Sequence, residues 1–69
     1  MEKQTVTPRK PRAKVLGQDG NVFNILAICS RALRNADLHQ ESDHMQQEVF
    51  ASGSYDEALA IMMRYVEFV

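Results

Sequence analysis

The longest amphipathic segment of this sequence runs from Val22 to Ala36. Its apolar residues recur at spacings of three and four, which places them on one face of an α-helix. Asn35 or Asp37 can adopt the left-handed conformation that commonly ends a helix. The chain must therefore fold so that another part of it covers this apolar face, which comprises Val22, Ile25, Leu26, Cys29, Ala32, Leu33 and Ala36 and is widened by Phe23 and Ile28.

A turn from Gly17 to Asn21 leads into that helix. Glycine tolerates positive φ, so we expect both Gly17 and Gly20 to adopt it. Asn21 or Asp19 can cap the first helical turn by accepting a backbone hydrogen bond. Glycines before a helix can also bind phosphate, but this spacing matches no phosphate-binding motif and Asp19 would repel an anion. We interpret the segment as a structural turn.

Residues 1–14 differ in composition from the rest of the chain. They carry five basic residues, one acidic residue and two prolines, which gives a formal charge of +4. Such a segment buries too little apolar surface to offset the entropy lost on ordering. Residues 15–69 carry three arginines and eight acidic residues, a formal charge of −5. We predict a disordered basic tail over residues 1–14 and a small helical domain over residues 15–69.

Two further helices are predicted after the first. Residues 38–51 are mostly polar but have helical spacing, and Gly53 follows their end. Ser54 opens a third helix, because Glu57 three residues later completes a capping box. The apolar stripe of the second helix consists of Leu38, Met45, Val49 and Phe50, and that of the third consists of Tyr55, Ala58, Leu59, Met62 and either Tyr65 or Val66.

Both ends of the domain have features of short strands. Residues 13–16 form a moderately apolar segment, a candidate short strand that Gly17 ends. Residues 65–69 are rich in β-branched and aromatic side chains, so they fit either a continued third helix or a strand paired with residues 14–17. The fold class is therefore mainly α, a small α+β domain of three helices with a short two-stranded pairing of the N-terminal strand and the C-terminal end.

No arrangement of residues indicates an enzyme. Two histidines and three acidic residues lie close together between His39 and Glu48, but helical spacing divides them between two faces, so we predict a solvated polar surface and no metal site. Cys29 lies within an apolar stripe, where we expect a buried thiol rather than a nucleophile. A domain of this size leaves little room for a pocket of about 300–1,000 Å³. We expect no catalytic residue and no cofactor.

Apolar residues outside the main stripe of the third helix indicate a partner. Ile61 and Met63 give this helix more apolar surface than a monomer needs. Gln18 and Asp19 in the first turn are further candidates for a partner surface. The leading hypothesis is a small interaction or accessory protein that docks on another protein, of unknown identity, or on a second copy of itself as a homodimer.

The basic tail provides the alternative function, an accessory protein that binds nucleic acid. Arg9, Lys10, Arg12 and Lys14 are the candidate phosphate contacts. This alternative is the weaker of the two, because the domain is acidic and has no aromatic residues interleaved with basic ones.

The expected location is the cytoplasm. The single cysteine, Cys29, cannot form a disulfide within the chain and fits a reducing compartment. The sequence has no apolar run of about eighteen residues, so we expect no membrane span.

Two turns carry a resemblance to a known group of proteins. Residues 15–23, with Gly17-Gln18-Asp19-Gly20-Asn21, and residues 51–56, with Ser52-Gly53 and Tyr55-Asp56, resemble short bacterial and phage-borne proteins of unknown function that share a "GQDGN-x-F" turn, a helix and an "SG-D-YD" turn before a final helix. This chain departs from the pattern at Ser54, where Asp is usual, and at Asp37, where a glycine usually ends the helix. The resemblance covers residues 15–69 and implies an architecture and a mobile-element association, but no catalytic residue.

Overall fold

Three helices lie between two short strands in the computed structural model, which describes residues 10–69. The elements are β1 (Arg12–Ala13), α1 (Val22–Asn35), α2 (His39–Phe50), α3 (Tyr55–Tyr65) and β2 (Glu67–Phe68). The predicted mainly α domain with a short strand pairing is confirmed. No helix in this part of the chain is long and apolar enough to cross a membrane.

The two strands pair in parallel, with Arg12 opposite Glu67 and Ala13 opposite Phe68. The pairing extends past β1, because the amides of Val15 and Leu16 both donate to the carbonyl oxygen of Val69 at 2.9 Å. Parallel strands need a long crossover connection, and here the three helices provide it. The pairing therefore brings the two ends of the described chain together.

The ordered domain begins earlier than predicted. Residues 11–14, which the composition assigns to the tail, belong to the folded part: Ala13 is 1% exposed, and the carbonyl oxygen of Pro11 accepts a hydrogen bond from the amide of Glu67 at 2.9 Å. Backbone hydrogen bonds to the C-terminal strand order this segment, and its composition, with few apolar side chains, does not show them. The rest of the predicted tail, residues 1–9, lies outside the described residues.

The core is formed by one face of each helix. In α1, four of the predicted stripe residues are buried, including Cys29 and Leu33. Met45 of α2 and Met62 of α3 are fully buried beside them, where the flexible thioether side chain fills irregular space. The predicted apolar stripe of α1 is thereby confirmed between Ile25 and Leu33, whereas Ala36, which was predicted to belong to it, is exposed.

A buried polar contact joins α1 to α2. The side-chain amide of Gln46 donates to the hydroxyl oxygens of Ser30 and Ser42 at 3.1 and 3.2 Å. Both serines are buried, and a buried hydroxyl without a hydrogen-bond partner is destabilising. This contact therefore favours one register of α2 on α1. The hydrophobic pattern did not predict this contact, because Ser42 and Gln46 are polar residues of a helix that is mostly polar.

The turn before α1 is closed by side chains as well as by glycine. The Asn21 side chain caps α1 by accepting from the amide of Phe23 at 2.8 Å, and Asp19 accepts from the amide of Asn21 at 3.1 Å. Gly17 has φ +85°, as predicted, whereas the prediction of positive φ at Gly20 is wrong. These side-chain bonds close the second half of the turn without a left-handed residue. At the other end of α1, Asp37 has φ 66° and is left-handed as expected.

The two glycines of this turn should respond differently to substitution. Gly17→Ala is expected to lower the free energy of unfolding by about 1–2 kcal/mol, because alanine is strained at this φ. Gly20→Ala is the matched control and should change it by less than about 0.5 kcal/mol in the destabilising direction. Urea unfolding followed by circular dichroism measures both. Equal losses for the two variants would contradict this account of the turn.

Candidate functional site

A cleft of about 370 Å³ opens between the start of α1, the end of α2 and the start of α3. Apolar side chains dominate its lining, which consists of Val22, Phe23, Leu26, Val49, Phe50, Ser52, Gly53, Ser54, Tyr55 and Ala58. The expectation that the domain leaves little room for a pocket is wrong. The cleft does not occupy the core, because it forms at the surface where the ends of three helices meet.

Three aromatic side chains surround this cleft and face solvent. Phe23 and Phe50 are each 66% exposed, and Tyr55 is 47% exposed. All three were predicted to contribute to buried stripes, and the structure corrects this. Successive helical residues point about 100° apart, so Phe50 diverges from buried Val49. The sequence did hint at this site, because Phe23 and Phe50 each directly follow a residue of an apolar stripe, Val22 and Val49.

The start of α3 is fixed by the predicted capping box. The Ser54 hydroxyl oxygen accepts from the amide of Glu57 at 3.1 Å. The Glu57 carboxylate accepts in return from the amide of Gly53 at 2.7 Å, one residue earlier than in the standard box. Gly53 is therefore part of the α3 cap as well as the residue that follows α2. The position of Tyr55 in the cleft follows from this cap.

The Tyr55 hydroxyl links α3 to the turn before α1. It donates to the carbonyl oxygen of Gly20 at 2.5 Å. A Cβ atom at Gly20 would lie 3.4 Å from the same hydroxyl oxygen, an ordinary van der Waals contact, so alanine at this position is compatible with the hydrogen bond. The two sides of the cleft are thus joined by a hydrogen bond between residues far apart in the sequence.

A charged cluster links the end of α2 to the end of α3. The Tyr65 hydroxyl donates to the Glu48 carboxylate, which also accepts from the Arg64 guanidinium. The Tyr65 hydrogen bond lowers the pKa of Glu48, and the positive charge of Arg64 lowers it further, although partial burial acts in the opposite direction. The same hydrogen bond raises the pKa of Tyr65. Glu48 directly precedes Val49 and Phe50, so this cluster helps to hold that side of the cleft.

Stability should depend on pH through Glu48. Its pKa is lowered by folding, so its contribution is present above the unfolded pKa and is lost as pH falls through the folded pKa. We expect the urea concentration at the unfolding midpoint to decrease as the pH is lowered below about 5. The Glu48→Gln variant should have a lower midpoint at neutral pH, and its midpoint should decrease less at acidic pH. Asp43→Asn, an exposed acidic residue elsewhere on α2, is the control. An acid profile that is the same for Glu48→Gln and the unchanged protein would contradict the role of this cluster.

Acidic residues adjoin residues of the cleft without lining it. Asp56 follows Tyr55 in the chain, Glu57 bonds to the cleft residue Gly53, and Asp19 precedes Gly20. Residues 15–30 and 35–63, which contain every lining residue of the cleft, include neither lysine nor arginine. We call Asp19, Asp56 and Glu57 the acidic rim. The cleft therefore has a mostly apolar lining, and the charged residues next to its lining residues in the chain are acidic.

The predicted partner surface is only partly supported by where its residues lie. Ile61 is 9% exposed and belongs to the core, so the argument that it adds spare apolar surface is wrong. The buried stripe of α3 is Ala58, Ile61 and Met62, with spacings of three and one, and this face turns Ile61 inward. Met63 is 46% exposed, but it lies outside the cleft. Gln18 and Asp19 in the turn before α1 are both exposed, and Asp19 belongs to the acidic rim.

Two of the candidate nucleic-acid contacts, Lys10 and Arg12, interact with other residues of the domain. The Lys10 ammonium donates to the carbonyl oxygen of Met63 at 2.8 Å, and Nε of Arg12 lies 3.8 Å from the Glu67 carboxylate. Lys14 is exposed. Arg9 lies outside the described residues. Lys10 and Arg12 therefore interact with the acidic or carbonyl groups of the domain itself.

In the described part of the chain, neither Cys29 nor His39 lies in an arrangement that favours catalysis or metal binding. Cys29 is fully buried, and burial raises the pKa of its thiol to about 11, which disfavours the reactive thiolate. Nε2 of His39 lies 3.6 Å from the Asp37 carboxylate on the surface. Within residues 10–69, no group of three or more histidine, cysteine or acidic side chains is placed to hold a metal ion.

No family model, curated protein or solved structure matches this chain. The cleft is the feature of the described residues with the strongest bearing on function, because clustered apolar side chains in water mark interaction sites more often than scattered ones do.

Proposed function

We propose that this chain is a small, non-enzymatic interaction protein that binds a segment of another protein in the cleft between the three helices. The observation that carries this proposal is the gathering of Phe23, Phe50 and Tyr55 around one apolar opening. Phenylalanine and tyrosine are enriched at the centres of protein interfaces, where they bury large areas at a low entropic cost. The role fits an accessory or regulatory product, and a mobile-element origin rests on the resemblance in the two turns alone.

The rigidity of the cleft supports the same proposal. The helix caps at Asn21 and Ser54, together with the bond from Tyr55 to Gly20, fix two sides before any partner arrives. A binding site that is already ordered loses less conformational entropy on association. A partner segment can therefore gain most of the free energy from covering the aromatic rings.

Docking has more support than the alternative, nucleic-acid binding through the basic tail. Lys10 and Arg12 already contact the domain, and neutralising phosphates would require them to exchange those contacts. The domain also carries a net negative charge, which opposes approach to a polyanion. In the cleft, by contrast, residues 10–69 leave Phe23 and Phe50 each 66% exposed.

The proposal predicts that aromatic residues of the cleft are needed for partner binding but not for folding. Phe23→Ala with Phe50→Ala should leave the free energy of unfolding within about 0.5 kcal/mol per site, because both rings are mostly exposed. The double variant should lose the protein that the unchanged chain captures from its own cells, as measured by affinity purification and mass spectrometry. Met63→Ala, an exposed apolar residue outside the cleft, is the matched control and should retain it.

A photo-cross-linking phenylalanine analogue at position 50 identifies the same partner in living cells. It should give a cross-linked product that the analogue at position 63 does not give. Cross-links from position 63 alone, or equal capture by the double variant and the unchanged chain, would contradict docking at the cleft.

A further inference from the structure

We propose that the occupant of the cleft is a basic amphipathic segment of another protein, one that presents apolar side chains flanked by lysine or arginine. This inference rests on the proposed docking function and names the chemistry of the partner. It follows from charge complementarity at the acidic rim, from the exposed aromatic faces and from the way the helix ends are capped.

Within residues 10–69, no lysine or arginine forms an ion pair with Asp19, Asp56 or Glu57. Arg31 and Arg34 lie in the second half of α1, away from its cleft end at Val22 and Phe23. Arg64 lies at the far end of α3, where it bonds to Glu48. Lysine or arginine on a partner could therefore pair with Asp19, Asp56 and Glu57 without displacing an ion pair made by residues 10–69.

Exposed aromatic rings favour the same partner chemistry. The face of an aromatic ring attracts a lysine or arginine side chain, and the aliphatic part of that side chain packs on the ring. Phe23, Phe50 and Tyr55 provide three such rings beside the acidic rim. A basic amphipathic segment can use both features, with its apolar residues in the cleft and its cations at the edge.

Other occupants fit the cleft less well. An anion would need free amides at the helix ends, but the amides of Phe23, Glu57 and Gly53 already bond to capping side chains. A second copy bound cleft to cleft would place identical acidic rims against each other, since a two-fold interface brings the same surfaces together. Like charges then oppose the contact.

The test uses the full chain and three fluorescent peptides of one length with leucine and phenylalanine at helical spacing. Their remaining positions carry lysine, glutamine or glutamate. Fluorescence anisotropy should show the lysine peptide binding about tenfold tighter than the glutamine peptide, and the glutamate peptide weakest, with the differences shrinking at high salt. Phe50→Ala should weaken the lysine peptide about tenfold.

Charge-removing variants locate the effect. Asp19→Asn with Asp56→Asn should weaken the lysine peptide several-fold and leave the glutamine peptide unchanged, since asparagine can still accept the hydrogen bond that Asp19 accepts. Glu41→Gln with Asp43→Asn removes two acidic charges elsewhere on α2 and is the matched control. Equal losses in the two double variants would show attraction to the overall charge and would overturn the proposal.

Other outcomes separate this inference from the docking function. Equal affinity for all three peptides, lost in Phe50→Ala, would overturn the basic partner and leave apolar docking in place. If no peptide binds, the proposal of a basic partner is also wrong. The cross-linking experiment tests docking at the cleft independently of this result. Sedimentation showing a dimer that Phe50→Ala dissociates would assign the cleft to a second copy.

Discussion

Interior volume is the constraint on which this structure depends most. A chain of this size can enclose only a small core. In the described residues, the centre of that core is filled by medium-sized side chains from all three helices and from the residue before β2, namely Cys29, Leu33, Met45, Met62 and Val66. The larger rings of Phe23, Phe50 and Tyr55 lie outside it. The chain therefore has apolar surface that its own core does not cover.

This surface has an ordered arrangement because the helix ends around it are fixed. Capping by Asn21 and Ser54 sets where α1 and α3 begin, and the hydrogen bond from Tyr55 to Gly20 joins those two beginnings. At the opposite end of α3, Glu48 accepts from two side chains of α3 and holds α2 against it. The exposed rings thus surround one cleft. Concentrated apolar surface of this kind is what a protein partner recognises.

Much of the fold could be predicted from the sequence, because local signals dominate it. Apolar spacing identified the three helices, the capping box at Ser54 marked the start of α3, and burial of Cys29 followed from its place in a stripe. The direction of side chains at the edge of a stripe could not be predicted, because successive helical residues point about 100° apart. The apolar pattern therefore did not show that Phe50 faces solvent or that Ile61 faces the core. The cleft depends on contacts between distant segments, such as Tyr55 with Gly20, that periodicity does not contain.

Fluorine NMR tests most directly whether the cleft is the docking surface. The chain has three phenylalanines, so labelling with 4-fluorophenylalanine reports on Phe23 and Phe50 in the cleft and on Phe68, which packs against the core from β2, as an internal control. Spectra of the full chain are compared in buffer and in an extract of the cells that make it. If a partner docks in the cleft, the extract will shift or broaden the Phe23 and Phe50 signals and leave Phe68 unchanged. A response confined to Phe68, or no response from any ring, would contradict docking in the cleft.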